Sequence, residues 1–327
     1  MSCTSKSPRK VALEAFDIGN RVLPAHFSKY SRKDFTLPQL FTCLVLKSFF
    51  RTDFRGITAI LLDLPDLCQA IQLRKVPHFT TLQKMHQRLL AFAPATQILD
   101  ATVRKALGER PHLQLVAGDS TGIESSQISP YFIKRRSHKY KTPQTTTYSH
   151  YPKLELLCDC HTHVVLAAIP ALGPHPDIDR LRPLLFAPLS RGISIDTALF
   201  DAGYDSEPNH CFVRDCCHIR SVIPATSGRP CRDPTKPPSG KWRRVMRHYR
   251  DYRYGQRWQV ETTFSMIKRR LGGYVLNRSN PARFAEMMLK VLTHNIMLIV
   301  LVIIEVFYRA PVTPFPNPGH PWPPVGW

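Results

Sequence analysis

The chain has 327 residues, of which 43% are hydrophobic, so it is long enough to bury one large core or two modest ones. Its 45 lysines and arginines outnumber 24 acidic residues, and the net charge of +21 predicts a polyanionic partner: nucleic acid first, an anionic membrane surface second. Nine scattered cysteines behind a polar N-terminus argue against a disulfide-rich secreted protein and predict free thiols in a reducing, cytoplasmic compartment.

Residues 1–110 are predicted to be a mostly helical region, with helices at 37–50, 56–67 and 78–90. Thr80 or Thr81 is predicted to cap the third helix. That helix would present three basic side chains: Lys84, His86 and Arg88. Short helices ahead of an α/β region are compatible with a DNA-end-binding module of helix-turn-helix type and equally with a structural cap, and no spacing here decides between them.

Short strands and helices alternate after residue 111, which predicts a mixed α/β sheet. A first strand covers residues 112–119 and ends in Asp119, and another covers residues 193–200 and is followed by Asp201. Between them, residues 154–158 and 164–169 are predicted to pair as a hairpin. The remaining predicted elements are helices at 177–189 and 207–217 and a strand at 218–224.

A single amphipathic helix is predicted over residues 254–268. At about 100° per residue, Tyr254, Arg257, Glu261 and Lys268 share one face. The neighbouring apolar stripe would pack on a core and consists of Val260, Phe264, Ile267 and Leu271. From helical geometry alone, a solvated face with an i, i+4 Arg–Glu pair is the commoner cause of this pattern. The alternative is a site that holds a metal ion and a phosphate backbone together.

The C-terminal part is predicted to be one long helix followed by a tail. Residues 281–308 form the helix, and its unbroken apolar run, 296–304, is short of the ~20 residues that a bilayer requires. We therefore expect a buried core helix and no membrane association. Residues 227–240 are a loop by composition, and the proline-rich residues 310–327 are predicted to be disordered.

Two aspartates lie where ligands gather in open α/β sheets. Asp119 and Asp201 each stand at the carboxyl end of a predicted strand, and they converge if the two strands are neighbours. Glu261 supplies a third carboxylate from the following helix. Three carboxylates form an oxygen-rich site that suits Mg²⁺ or Mn²⁺ rather than zinc. Two such ions about 4 Å apart would suit attack on a phosphodiester.

Basic residues are concentrated around those carboxylates. Ten lysines and arginines fall within residues 241–270, interleaved with aromatic side chains that include Trp258. A second basic run, residues 134–141, contains Arg135, Arg136 and Lys139. Cationic side chains bind phosphates and aromatic rings stack on unpaired bases, so this concentration favours a DNA-binding groove over a generic basic surface. No glycine-rich phosphate-binding loop is present, so no nucleotide cofactor is expected.

The spacing of Tyr254, Arg257, Glu261 and Lys268, with two, three and six residues between them, resembles the YREK signature of bacterial and archaeal insertion-sequence transposases of the DDE type. Three further segments are similar to that family: AGDSTGI around the first aspartate, LFDAGYDSE around the second, and LGPHPDIDRLRPLL between them. Upstream, DFRGITAILLDLPDL and VPHFTTLQKMHQRL are similar to its helical N-terminal region. The resemblance spans nearly everything from about residue 30 to 305.

The resemblance implies a ribonuclease-H-like mixed sheet flanked by helices at residues 111–309, behind a helical region at 1–110. It implies cut-and-paste transposition of DNA. Asp119, Asp201 and Glu261 would be the catalytic, metal-binding residues for two Mg²⁺ or Mn²⁺ ions. The family's phosphate-binding residues correspond to Tyr254, Arg257 and Lys268. The basic and aromatic pattern adds four residues to the same DNA surface: Arg135, Arg136, Lys139 and Trp258.

The expected partners are the terminal inverted repeats of an element and its target DNA, bound by a homodimer on paired ends in the nucleoid. Two alternatives remain: a nuclease of the same fold without joining activity, and a transposase-derived DNA-binding protein that is no longer catalytic. Only 59 residues separate Asp201 from Glu261, whereas better-known relatives carry a long β-rich insertion there. The sequence therefore leaves open whether a hairpin end intermediate forms.

Overall fold

The computed structural model of the chain describes residues 4–30, 32–125, 151–225, 239–248 and 251–308. Predictions for the loop at 227–238, for the tail at 310–327 and for Arg135, Arg136 and Lys139 lie outside these residues. Within them, helices come first and a mixed sheet with flanking helices follows, as the sequence predicts.

The N-terminal region contains six helices in the described residues: α1 Pro8–Val22, α2 Leu37–Phe49, α3 Phe54–Asp63, α4 Pro65–Ala70, α5 Phe79–Leu89 and α6 Phe92–Leu107. The predicted helix at 37–50 is confirmed. A reciprocal capping box between Thr36 and Gln39 starts it, and it is buried along almost its whole length. The prediction of a single helix at 56–67 is wrong, because the helix ends before Leu64 and Pro65 begins a separate one.

Helix α5 differs from its prediction in its cap and in its exposed face. His78, not Thr80 or Thr81, is the N-cap, and its ring accepts a hydrogen bond from the Thr80 N–H. His86 is 1% exposed and packs edge-on against Phe54 rather than being presented to solvent. The reason is its spacing: Leu82, His86 and Leu89 form one i, i+4, i+7 stripe, and that stripe faces the core.

The described strands are β1 His112–Gly122, β2 Glu124–Ser125, β3 Tyr151–Asp159, β4 Val165–Gly173, β5 Ser194–Phe200, β6 Arg220–Val222 and β7 Tyr274–Val275. Five of them form one sheet in the order β4-β3-β1-β5-β6, while β2 pairs with β7. The predicted hairpin is confirmed as the antiparallel pair β3 and β4. Strand β1 also pairs antiparallel with β3, whereas β1, β5 and β6 are parallel. The mixed α/β sheet is therefore confirmed.

Strand β1 does not end at Asp119, as predicted, but continues to Gly122. The apolar pattern stops at Asp119, yet the ladder with β3 runs on through Ser120 and Thr121. Backbone pairing therefore extends the strand beyond its apolar part, and Asp119 lies within a strand that is held on both sides.

Helices cover both faces of the sheet: α7 Leu181–Leu189, α8 Glu207–Cys211, α9 Lys241–His248, α10 Trp258–Leu271 and α11 Asn280–Tyr308. The helix predicted at 177–189 is preceded by a separate 3₁₀ turn, Asp177–Asp179, and the one at 207–217 continues from α8 as a π turn, Phe212–Cys216. One core lies between the N-terminal helices, α10, α11 and one sheet face; the other lies beneath α7 and the π turn Phe212–Cys216.

The predicted single helix at 254–268 is wrong in its first turn. A 3₁₀ turn, Tyr252–Arg257, precedes α10, which begins at Trp258. Asp251 caps this turn by accepting the Arg253 N–H, and Gly255 within it has a low α-helix propensity. Tyr254 and Arg257 therefore lie on the turn, whereas Glu261 and Lys268 lie on the helix.

Helix α11 is the central core helix. Its first 22 residues, Asn280–Leu301, are long and apolar enough to cross a membrane, but 89% of that apolar window is buried inside the fold. Asn295, which is fully buried, accepts the Val165 N–H and donates to the Val165 carbonyl and to Thr102. It therefore satisfies backbone groups at the start of β4, an outer strand of the sheet.

Candidate active site

Asp119 lies on β1, and Asp201 directly follows β5, the neighbouring parallel strand. Gly118 of β1 is paired with Phe200 of β5, so Asp119 and Asp201 occupy the next step along the same ladder. The strands are adjacent, which was the condition for the two carboxylates to converge. Asp201 caps the 3₁₀ turn Ala202–Tyr204, and its Oδ1 accepts the Gly203 N–H at 2.8 Å.

Asp119 is held by hydrogen bonds at both oxygens. Its Oδ1 accepts the Ser120 N–H at 2.7 Å, and its Oδ2 accepts from Arg257 Nη1 at 3.0 Å. Burial raises the pKa of Asp119, and the charges of Asp201 and Glu261 raise it further, while the Ser120 N–H and Arg257 oppose the rise. The three predicted carboxylates therefore form one electrostatically coupled group.

Glu261 reaches this group from the first turn of α10. The predicted apolar stripe of that helix is confirmed as buried: Val260, Phe264, Ile267 and Leu271. The stripe holds the helix on the core while the Glu261 side chain remains 55% exposed. Its Oε1 accepts from Arg257 Nη2 at 2.5 Å. A carboxylate in the first turn is also favoured by the helix dipole.

Arg257 is the cation between the carboxylates. One of its terminal nitrogens binds Asp119 and the other binds Glu261. Burial acts to lower the pKa of Arg257, but the two carboxylates outweigh burial and the pKa is raised. Tyr254 lies beside it: burial raises the pKa of this phenol, Asp201 and Asp119 add to the rise, and Arg257 opposes it. The phenol is therefore a protonated donor near neutral pH.

Lys268 and Trp258 extend the site along α10. Lys268 donates to Thr121 Oγ1 at 2.7 Å, which links the helix to β1 just beyond Asp119. Burial lowers the pKa of Lys268, and the charge of Glu124 partly offsets this. Trp258 is 53% exposed at the start of the helix. The described members of the predicted DNA surface therefore line one helix and the turn before it.

A second polar cluster lies on the opposite face of the sheet, and sequence reasoning missed it. Asp177 accepts a hydrogen bond from Ser120 Oγ at 3.1 Å and forms an ion pair with Lys153. Lys153 also donates to the His175 carbonyl at 2.8 Å. Asp177 thus connects the strand position after Asp119 to β3 and to the segment before α7. The LGPHPDIDRLRPLL segment contained this aspartate, but nothing in it indicated the partners.

Glu155 is the most unusual member of that second cluster. It is 0% exposed, neither carboxylate oxygen has a hydrogen-bond partner within the described residues, and Arg180 Nε lies 3.7 Å from Oε1. Burial, followed by the charge of Asp177, raises the pKa of Glu155 to about 7. Two charged residues at alternate positions of a mostly apolar strand, Lys153 and Glu155, were the sequence signal for this cluster.

The donor set suits a hard divalent cation in its chemistry. All three predicted ligands are carboxylates, and their mutual repulsion at Asp119 is what a bound cation would relieve. As placed, however, no three acidic, histidine or cysteine side chains in the described part of the chain are grouped closely enough to hold one ion. Arg257 engages two of the three, so a metal would have to compete with its guanidinium for Asp119 and Glu261.

Comparison with known proteins adds three findings. The model of a family described as "Transposase DDE domain" matches residues 94–296, which include the three carboxylates. Among solved structures, the chain is similar to one titled "Cryo-EM structure of piggyBac transposase synaptic complex with hairpin DNA", at 11% identity and a TM-score of 0.45, covering 94% of this chain and 74% of that one. A comparison with curated proteins gives no match.

Proposed function

The chain belongs to the transposase DDE domain family, and we propose that it catalyses metal-dependent strand cleavage at the ends of an insertion element and transfers the freed strand to target DNA, as in cut-and-paste transposition. The observation that carries this proposal is the grouping of Asp119, Asp201 and Glu261, which β1, the end of β5 and α10 bring to one end of the sheet, with Arg257 bound to two of the three. The net charge of +21 supports a DNA substrate.

We also infer that the catalytic part is ribonuclease-H-like. The sheet supports this: β4, β3 and β1 are antiparallel, and β5 and β6 run parallel to β1. Helices cover both faces, and Asp119 on β1 lies beside Asp201 at the end of β5. The helical region before it would bind DNA ends or support the catalytic part, and α2 and α5 both pack against α11.

Asp119, Asp201 and Glu261 would hold the divalent ions, with Mg²⁺ or Mn²⁺ favoured by their all-oxygen donors. When bound, these ions would supply Lewis acidity to the phosphodiester and to the attacking oxygen. Until then, Arg257 offsets one of the two negative charges of Asp119 and Glu261 and keeps both side chains oriented. The chain therefore holds two of the three carboxylates in place before any ion arrives.

Tyr254, Arg257 and Lys268 would bind the phosphates beside the cleaved bond. Arg257 offers a planar fork that matches a phosphate as well as a carboxylate, and Lys268 is held in place by Thr121. The protonated Tyr254 phenol would donate a hydrogen bond to a phosphate oxygen. Trp258, exposed at the start of α10, would stack on a base that has left the duplex. Arg135, Arg136 and Lys139 would extend the DNA surface.

A cleavage and joining assay tests the proposal. The protein is incubated with labelled duplex DNA carrying the inverted repeats that flank its gene, with Mg²⁺ or Mn²⁺ or with EDTA. We expect metal-dependent nicking at the repeat boundary, joined products, and loss of both in Asp201→Ala with DNA binding retained. Nicking without joining would indicate the nuclease alternative, and binding without nicking under every divalent ion would indicate a non-catalytic DNA-binding protein.

The proposed partners follow from the reaction: terminal inverted repeats, target DNA, and a second copy of the chain to pair two ends, in the cytoplasm at the nucleoid. Light scattering of the protein with repeat DNA tests the pairing, because a homodimer on paired ends doubles both the protein and the DNA in one particle. A complex of one protein with one end would overturn the homodimer.

A further inference from the structure

A small cationic pocket lies where α2 meets the end of α10 and the first half of α11. Its volume is about 20 Å³, which is room for one water-sized group. The side chains and backbone that matter for its chemistry come from Lys47, Ser48, Arg51, Gly272, Glu286 and Lys290. It is separate from the carboxylate site, which lies toward the other end of α10.

Two of the three cations already bind carbonyl groups at the end of α10. Arg51 donates from Nε to the Arg270 carbonyl at 2.6 Å and also binds the Arg269 carbonyl. Lys290 donates to the carbonyls of Leu271 and Gly272. These contacts complement the negative end of the helix dipole. They explain why Arg51 and Lys290 are present, but they leave the remaining cation unexplained.

Lys47 is that remaining cation. It is 4% exposed, and among the described residues its ammonium makes no hydrogen bond. The ammonium lies 4.8 Å from the centroid of the Phe54 ring, and the charges of Glu286 and Asp53 oppose the lowering of its pKa by burial. Beside it, Ser48 Oγ is also buried without a hydrogen-bond partner in the described chain. Two side chains with protons to donate therefore line the pocket without an acceptor from the described chain, and leaving the buried Ser48 hydroxyl unpaired is costly.

The acidic residue at the pocket does not supply that acceptor. Both oxygens of Glu286 receive hydrogen bonds from the backbone N–H of Leu276, and Oε2 also binds the backbone and side-chain nitrogens of Asn277. Burial lowers the pKa of Lys290 to about 8; Glu286 opposes this, and the charges of Lys47 and Arg51 add to it. The lining thus carries three cations and one occupied carboxylate, and the missing component is an anion.

We propose that this pocket binds one phosphate oxygen of the DNA backbone. Lys47 and Ser48 would donate hydrogen bonds to that oxygen, and Arg51 would lie at the mouth of the pocket. The proposal rests on the proposed DNA transposase function. Leu271 follows Glu261 by ten residues on one helix, a rise of about 15 Å, so the pocket lies within a few base steps of the cleaved bond. It also gives α2, in the helical N-terminal region, a direct contact with DNA.

The first test uses inorganic phosphate as the probe, in EDTA and against chloride at matched ionic strength. Thermal unfolding of the full chain is followed as phosphate is added to wild type, Lys47→Met, Ser48→Ala and the control Lys10→Met, which removes the same charge from the exposed side of α1. We expect phosphate to stabilise wild type and Lys10→Met. The apparent Kd should rise about tenfold in Lys47→Met, the effect of one charged hydrogen bond. Equal phosphate dependence in all four proteins would overturn the pocket.

The second test identifies the source of the phosphate group. Affinity for a repeat-containing duplex is measured between low and high salt for the same four proteins. We expect the slope of log K against log salt to fall by about 0.9 in Lys47→Met and to stay unchanged in Lys10→Met. Lost phosphate binding with an unchanged slope would overturn the DNA assignment in favour of free phosphate. If Lys47→Met fails to fold, Ser48→Ala tests the pocket by affinity instead: its apparent Kd for phosphate and for the duplex should rise while the salt slope stays unchanged, because serine carries no charge. An unchanged Kd for both would overturn the pocket.

Neither test depends on cleavage. If the protein binds DNA and phosphate as expected but does not cut, the proposed transposase reaction fails while the pocket stands. If it cuts DNA with a wild-type salt slope in Lys47→Met, the pocket fails while the proposed function stands.

Discussion

The guanidinium of Arg257 determines how the candidate site is organised at the scale of single residues. It binds Asp119 at 3.0 Å and Glu261 at 2.5 Å with two different nitrogens, so one side chain fixes the distance between a strand and a helix. Arginine is suited to this because its donors form a rigid planar fork, whereas a lysine ammonium is a point charge.

Arg257→Lys is therefore expected to lower the rate of strand cleavage by roughly tenfold to a hundredfold, the range for losing one charged hydrogen bond. Single-turnover cleavage of a labelled repeat duplex measures this. Arg269→Lys, an exposed change on the same helix, serves as the control and should cleave at the wild-type rate. An Arg257→Lys protein as fast as wild type would show that the fork is not required.

The same arginine predicts an effect on metal affinity. Because its guanidinium engages two of the three carboxylates, Arg257→Gln should bind Mn²⁺ more tightly than wild type in the absence of DNA, while cleaving more slowly. Titration of free Mn²⁺ by electron paramagnetic resonance gives the affinity. Weaker Mn²⁺ binding in Arg257→Gln would mean that the arginine supports the ion rather than competing with it.

Asp177 is the second residue on which the local geometry depends, although it lies on the opposite face of the sheet. Asp177→Asn keeps its size but removes the counter-ion of Lys153, whose side chain is only 8% exposed. We expect a loss of about 3 kcal/mol in the free energy of unfolding, at the lower end for breaking a buried pair. Urea unfolding measures it, and Asp179→Asn, exposed on the same turn, should lose almost nothing.

At the scale of elements, packing against α11 positions the parts of the site. Its Asn295 satisfies the first backbone groups of β4, so the helix is connected by hydrogen bonds to an outer strand of the sheet. Helix α10 lies against α11 and carries Glu261 and Lys268 on its other side. The sheet supplies two carboxylates and α10 supplies the third. Helix α11 contacts both the sheet and α10.

Asn295→Ala should therefore destabilise the fold by about 3 kcal/mol or more, because the Val165 N–H and carbonyl lose their partner while remaining buried. Gln97→Ala, which removes an exposed amide from α6, is the matched control. The free energy of unfolding by urea distinguishes them. Equal stability of the two variants would mean that water replaces the Asn295 amide.

At the scale of the whole molecule, buried titratable groups link stability to pH. Burial is the main cause that lowers the pKa of His86 to about 3 and that of His294 to about 4, so both are neutral in the folded state. In the unfolded chain they take up a proton near pH 6.5, so their contribution is fully present above pH 6.5 and declines as the pH falls toward 4. Burial raises the pKa of Glu155 to about 7, so this group has the opposite effect: it adds to the free energy of unfolding as the pH falls from 7 to 4.5.

We therefore expect His86 to lower the free energy of unfolding as the pH falls from 6.5 toward 4, by up to about 1.4 kcal/mol per pH unit. His86→Leu should flatten this dependence, because His86 lies in an apolar stripe and its Nε2 has no hydrogen-bond partner among the described residues. His161→Leu, an exposed change, should leave it unaltered. Urea unfolding at pH 7, 5.5 and 4.5 decides between these outcomes.

The sequence by itself determined the elements that depend on local patterns. Alternating apolar residues predicted the hairpin and the strand before Asp201, and the i, i+4 apolar stripe of α10 predicted its buried face. The motif residues at Asp119, Asp201 and Glu261 were identified because carboxylates at strand ends and in a basic segment are chemically unusual. These features are readable from the chain because each depends on neighbours within one or two turns.

Only the tertiary structure decided what depends on distant parts of the chain. The extension of β1 past Asp119 follows from its pairing with β3, and the contact of His86 with Phe54 joins two helices. The split of residues 254–268 into a 3₁₀ turn and a helix has a local cause, the Asp251 cap, which overrides the helical periodicity. The bridge from Arg257 to Asp119 joins residues 138 positions apart. Such contacts leave no periodic trace, because hydrophobic patterning reports which face is buried but not what lies against it.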